Sequence, residues 1–155
     1  FAAPLLGEKL KDIEYELPAV AKDWQETKTD NKDNKSSTVI YFPKGGADSA
    51  PTQFFAVSIH DMPTAATDAE AFQKSLELQF NDKAVHVKSL DKSDNGALLE
   101  WWVSDGDKEV VHGWLRILSF ADHTAILTYN TDDTKDIEAT RATWLPAIQN
   151  AKIVK

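Results

Sequence analysis

The stretch "ALLEWWVSDGDKEVVHGWLRIL", residues 97–118, decides the fold. Two apolar runs flank the cluster Asp105-Gly106-Asp107-Lys108, and such a cluster between alternating runs signals a β-hairpin. The apolar pattern also selects a register. Val103 is expected opposite Val111, Trp101 opposite Gly113, Leu99 opposite Leu115, and Ala97 opposite Ile117. One face is then wholly apolar, with the bulk of Trp101 over the gap left by Gly113. A slip of one residue would mix His112, Trp114 and Arg116 into that face. The other face carries Leu98, Glu100, Trp102 and Ser104 opposite Arg116, Trp114, His112 and Val110.

Two adjacent tryptophans mean that both sheet faces have apolar demand, because neighbouring strand residues point to opposite sides. Trp101 is expected in the main core. Trp102 and Trp114 fall on the second face with Glu100, His112 and Arg116. Two readings compete for that face. A helix or the N-terminal segment could cover it, with Glu100 and Arg116 as a cross-strand pair. Or it is a partly open aromatic and charged patch, a composition enriched at interface hot spots. On the second reading Glu100, Trp102, His112, Trp114 and Arg116 are the candidate binding residues.

Outward from the hairpin, "AVHVKSL" before it and "TAILTYN" after it read as further strands. The "DKSDNG" cluster at 91–96 places Asp91, Ser93, Asn95 and Gly96 at the spacing of the first half of a calcium loop. The twelfth position, however, is Trp102, where a bidentate Glu is needed. A turn between strands is the better reading. Upstream, "IEYEL" alternates as a short strand ending at Pro18, and "AVAKDW" suits one helical turn or a bulge. "WQETKT" and "STVIYF" read as strands joined across a polar segment, and "QFFAVSIH" as a stronger one. Thr67 followed by Glu70 has capping-box spacing before the stripe Ala69, Phe72, Leu76 and Phe80. A closing helix starts near Asp132 or Thr134, with Ile137, Trp144, Leu145 and Ile148 on its apolar face. Pro146 should bend or divide it.

The chain has 155 residues, 42% hydrophobic and 27% charged, which suits a single domain over 1–155. Its net charge of −8 argues against nucleic acid as a partner. The absence of cysteine excludes a disulfide scaffold, a thiol nucleophile and a cysteine-ligated zinc. No apolar run is long enough to span a bilayer as a helix. Phe1-Ala2-Ala3-Pro4 resembles the end of a signal peptide, so export to the periplasm or beyond is expected, with 1–10 a flexible N-terminal segment.

Catalytic signals are sparse. His60, His86, His112 and His123 form neither HxH nor HExxH spacing. Ser58, His60 and Asp61 are adjacent in sequence, but Ser58 and His60 share a strand face while Asp61 points away. No G-x-S-x-G elbow, Walker spacing or GxGxxG occurs. Neither a cofactor nor a metal site is expected.

"YELPAVAKDW", "FFAVSIHDMPTAATDAEAFQKSLELQF", "GALLEWWVSDGDKEVVHGWLRILSFADHTAILTYN" and "IEATRATWLPAIQNAKIV" follow one another as strand–Pro–Trp opening, strand–loop–helix, antiparallel meander and closing helix. This order resembles the PsbP-like superfamily, which includes PsbP, DcrB-type envelope proteins and the Mog-type Ran-binding factor. The resemblance implies an α+β fold, an α/β/α sandwich around an antiparallel sheet, and a protein that binds other proteins in an exported compartment. The expectation is an exported, bacterial, non-catalytic accessory protein, docking through the second hairpin face or through loops 30–36 and 44–51. A small-molecule or lipid carrier and an enzyme of unknown type are the alternatives.

Overall fold

A computed structural model describes residues 8–10, 13–32, 36–44, 53–60, 69–93 and 96–153. Residues 1–7, 33–35 and 45–51, with Asp61, the capping position Thr67, and Asn95, lie outside the described residues.

Ten strands and two α-helices are described. β1 (Glu8–Leu10), β2 (Ile13–Tyr15) and β10 (Lys152–Ile153) make a small sheet with β2 central. Glu8–Leu10 is paired with Ile13–Tyr15. The main sheet holds β3 (Gln25–Asn31), β4 (Ser36–Phe42), β5 (Phe54–His60), β6 (Ala84–Ser93), β7 (Gly96–Asp105), β8 (Lys108–Ser119) and β9 (Thr124–Thr131). Its order is β3-β4-β5-β9-β8-β7-β6, and every neighbouring pair is antiparallel. α1 (Ala69–Gln79) packs on one face and α2 (Ile137–Gln149) on the other. This is the expected α+β sandwich.

The hairpin register is the expected one at Val103–Val111, Trp101–Gly113, Leu99–Leu115 and Ala97–Ile117. Gly106 turns the chain with φ of 63°, a left-handed conformation that glycine adopts without a Cβ penalty. One detail differs. A bulge follows Val103, so Ser104 faces Glu109 and not Val110. The extra residue lets Val110 join Val111 in the α1-side cluster. It also turns Glu109 to the α2 side, because side-chain facing shifts by one residue across a bulge.

The two faces exchange their expected importance. The largest core lies on the α2 side and includes Ile13, Tyr15, Tyr41, Phe55, Trp114, Leu127, Tyr129, Trp144 and Ile148. Trp101 belongs instead to a smaller cluster with Leu76, Val85 and Val103, against Phe72 and Phe80 of the α1 segment. A single-hairpin pattern shows which residues share a face, but not how many other elements converge on it.

α2 begins later than expected. Asp136 caps it, accepting from the Ala139 amide at 3.1 Å, which satisfies one of the orphan donors of the first turn. It runs as one helix through Pro146. Its last turn is closed by Arg116, whose Nη1 donates to the carbonyls of Ile148, Gln149 and Ala151 at 3.0, 2.8 and 3.0 Å.

Candidate functional site

The five candidate residues share the α2-facing side of β7 and β8, but they do not form an open patch. α2 lies over β8 and β9 and buries Trp114, His112 and Glu100. Trp102 and Arg116 remain half-buried. The expected Glu100–Arg116 pair is replaced. Arg116 serves the end of α2, while Glu100 takes its partners from His112 and from the helix.

His112 Nε2 lies 2.6 Å from Glu100 Oε2, and His112 Nδ1 lies 2.5 Å from Glu109 Oε1. Both ring nitrogens are thus engaged by carboxylates, one from the neighbouring strand and one from the start of β8. Arg141 Nη2 donates to the same Glu100 Oε2 at 2.7 Å, and its Nη1 donates to Glu138 Oε1 at 2.6 Å. Burial pushes the Glu100 carboxyl up, but the hydrogen bonds from Arg141 and His112 outweigh it and hold the group below its ordinary value. The bonds from Glu100 and Glu138 in turn push the Arg141 guanidinium up. Thr134 Oγ1 donates to the Glu109 carbonyl at 2.9 Å, tying the segment before α2 to the start of β8. The cluster is a charged clasp between the hairpin and α2.

Sequence reasoning missed Glu109 and Arg141 as members of this clasp. Arg141 did carry a signal. It lies four residues after Ile137 and three before Trp144, inside the apolar stripe of α2, where a cation implies a buried acidic partner. Glu109 reaches His112 only through the bulge, which the alternation of residues does not announce.

Rings stack across the clasp. His86, Trp102 and His112 sit directly opposite one another on β6, β7 and β8. Their centroids are 5.2 and 5.6 Å apart and their planes within 17° and 8° of parallel. The column continues inward from His112 to Trp114 at 4.9 Å, then Tyr129 at 6.1 Å and Trp144 at 4.1 Å. Its outer end, His86, is exposed, beside exposed Lys88 on the same face.

The other sequence candidates stay apart. Ser58 Oγ lies 3.2 Å from Thr38 Oγ1, and His60 sits opposite Ser36 and Thr124. His123 lies 2.6 Å from Asp122 and stacks on Phe120. Asp91 and Ser93 belong to β6, with Ser93 opposite Gly96, the strand junction expected in place of a calcium loop. No group of His, Cys, Asp and Glu suited to a metal ion occurs among the described residues. An open groove of about 750 Å³ runs between β2 and α2, lined by Glu14, Leu17, Pro18, Thr143, Pro146 and Ala147 among others. None of the described helices is long and apolar enough to cross a membrane.

No protein-family model matches the chain, and no curated protein matches it. Among solved structures it is similar to cyanobacterial PsbP (CyanoP) from Synechocystis sp. PCC 6803, with a TM-score of 0.68 and 12% sequence identity. The match covers 99% of this chain and 94% of that one. With two helical layers around an antiparallel sheet, the chain has a PsbP-like fold.

Proposed function

We propose that the protein is a non-catalytic accessory protein that binds another protein through the outer end of the aromatic column, at His86, Lys88 and Trp102. The single observation that carries this reading is the form of that column. At His112 it is held by hydrogen bonds to Glu100 and Glu109, while its outer end stands at the surface on β6 and β7. A ring held in place before contact loses little side-chain entropy on binding, which is where hot-spot residues gain affinity. Lys88 beside it favours a partner surface with an acidic group.

The acid–base cluster supports the same reading. Both ring nitrogens of His112 and the shared oxygen of Glu100 are committed to intramolecular partners, and these two residues are buried. Those groups are occupied in holding the helix. The groove along β2 and α2 gives a carrier less support, since Glu14, Glu16, Gln149, Asn150 and Lys152 line it together with its apolar residues. Carrier pockets are enclosed and mostly apolar. The proposal also keeps the exported location expected from the sequence, which fractionation of the native host would check.

The test is capture of partners from envelope extracts by wild type and by the double variant His86→Ala/Trp102→Ala. Trp114 stays intact in that variant because it is fully buried and its loss would damage the core. A partner retained by wild type and lost by the folded variant supports the docking strip. Equal capture by both places the interface elsewhere.

A further inference from the structure

The far edge of the main sheet, opposite the β6 edge, ends in β3. All seven residues of β3 are exposed. It pairs with β4 over seven consecutive positions without a register shift. The β6 edge, by contrast, is interrupted by a bulge between Ser89 and Asp91, a common means of blunting an edge against added strands. β3 has neither a bulge nor a proline. A regular exposed edge is a template for another strand.

The residues along this edge specify the strand it fits. In "ETKTDNK", residues 26–32, Glu26, Lys28, Asp30 and Lys32 alternate with Thr27, Thr29 and Asn31. The charged residues therefore share one face of the strand and its continuation. A two-fold axis perpendicular to the sheet would set β3 of one copy antiparallel to β3 of another, with like-facing residues opposed. Centred on Lys28, that arrangement opposes Lys28 to itself and Glu26 to Asp30, so all three of these charges meet their like. Centred on Thr29, it opposes Lys28 to Asp30 and Glu26 to Lys32, so every charge meets its opposite, and Thr27 meets Asn31. Centred on Thr27, only Glu26 and Lys28 are matched.

We infer that β3 is a self-association edge, at which a second copy of this chain adds its own β3 antiparallel about Thr29 to extend the sheet. Directly opposed charges favour or oppose strand pairing by sign, so the pattern both selects the Thr29 register and rejects the fuller Lys28 overlap. In the single chain Lys28 lies 3.2 Å from Glu26 with both side chains exposed, a contact readily exchanged for the intermolecular ones. A strand-edge contact buries little surface, so the dimer is weak and salt-sensitive. This inference is independent of the His86–Trp102 strip, and the two can fail separately.

Sedimentation equilibrium at low and high salt tests it, on wild type, Lys28→Glu, Asp30→Lys and the swap Lys28→Asp/Asp30→Lys. All substitutions fall on exposed positions. Wild type should dimerise, less so at high salt. Each single variant places like charges opposite twice over and should weaken the dimer about tenfold or more. The swap again sets opposite charges across from each other at positions 28 and 30. It should recover wild-type association, with slowed amide exchange confined to β3. A wild type that stays monomeric up to about 1 mM overturns the inference and leaves the edge to a strand of another protein. Single variants that dimerise as well as wild type, or a swap that fails to recover, overturn it too.

Discussion

The two faces of the main sheet are built on different principles. The α1 side is held by apolar contact: Trp101 lies against Phe72 with ring centroids 6.2 Å apart, beside Leu76, Val85 and Val103. The α2 side combines a larger aromatic core with a clasp of buried Glu100 and His112, half-buried Glu109 and Arg141. Both inner tryptophans are used as hydrophobic mass. The indole N–H groups of Trp101 and Trp114 are buried without a hydrogen-bond partner among the described residues, a cost each ring must offset by packing. The comparison teaches that apolar contact suffices for a short helix on one face, whereas the α2 face adds directional bonds. Apolar packing tolerates sliding and rotation of a helix. A shared carboxylate with a histidine and an arginine on fixed elements does not.

The largest test of this contrast is Glu100→Ala. It takes the shared acceptor from half-buried Arg141 and from buried His112, and removing one partner of a buried charged pair costs about 3–5 kcal/mol. Urea unfolding would measure it, and a loss under about 1 kcal/mol would show that the clasp adds nothing beyond packing. The isosteric Glu100→Gln sharpens the point through pH. The Glu100 carboxyl is held below its ordinary 4.5 in the folded chain. Its contribution is therefore fully present above that ordinary value and is lost as pH falls through the lower folded one. The stability gap between wild type and Glu100→Gln should narrow in acid, and a gap independent of pH would contradict the clasp.

An intermediate effect is expected on the α1 side. A Cβ at position 113 would lie 2.7 Å from the Trp101 ring, so Gly113→Ala forces the ring off its seat. Overpacking of this kind costs about 1–3 kcal/mol. Trp101→Leu should rescue part of that loss in a double-mutant cycle, and strict additivity would disprove the proposed contact. The smallest effect belongs to the surface of α1. Lys74 and Glu70 are 3.4 Å apart with both side chains largely exposed, so Lys74→Ala should change stability by less than about 0.5 kcal/mol.

Much of this architecture is legible in the order of residues alone. Alternation places β7 and β8 and sets their register from the one gap, Gly113, that admits Trp101. The stripe of Ile137, Trp144 and Ile148 identifies the inner face of α2, and the order of elements points to the PsbP-like fold. The candidate site is half legible. Its five residues do share a face, as expected, but Glu100 binds Arg141, forty-one positions away, and not the cross-strand Arg116.

Which residues face together is written in the order of residues, because side-chain direction repeats with the local period of strand or helix. Long-range packing chose which face became the larger core, since that depends on the small β1-β2-β10 sheet and α2 arriving from both ends of the chain. It also decided which charges met. The bulge that turns Glu109 to His112 and the seat that brings Arg141 over Glu100 are settled by packing between distant segments, and no local pattern encodes the distance between elements that are not neighbours in the chain.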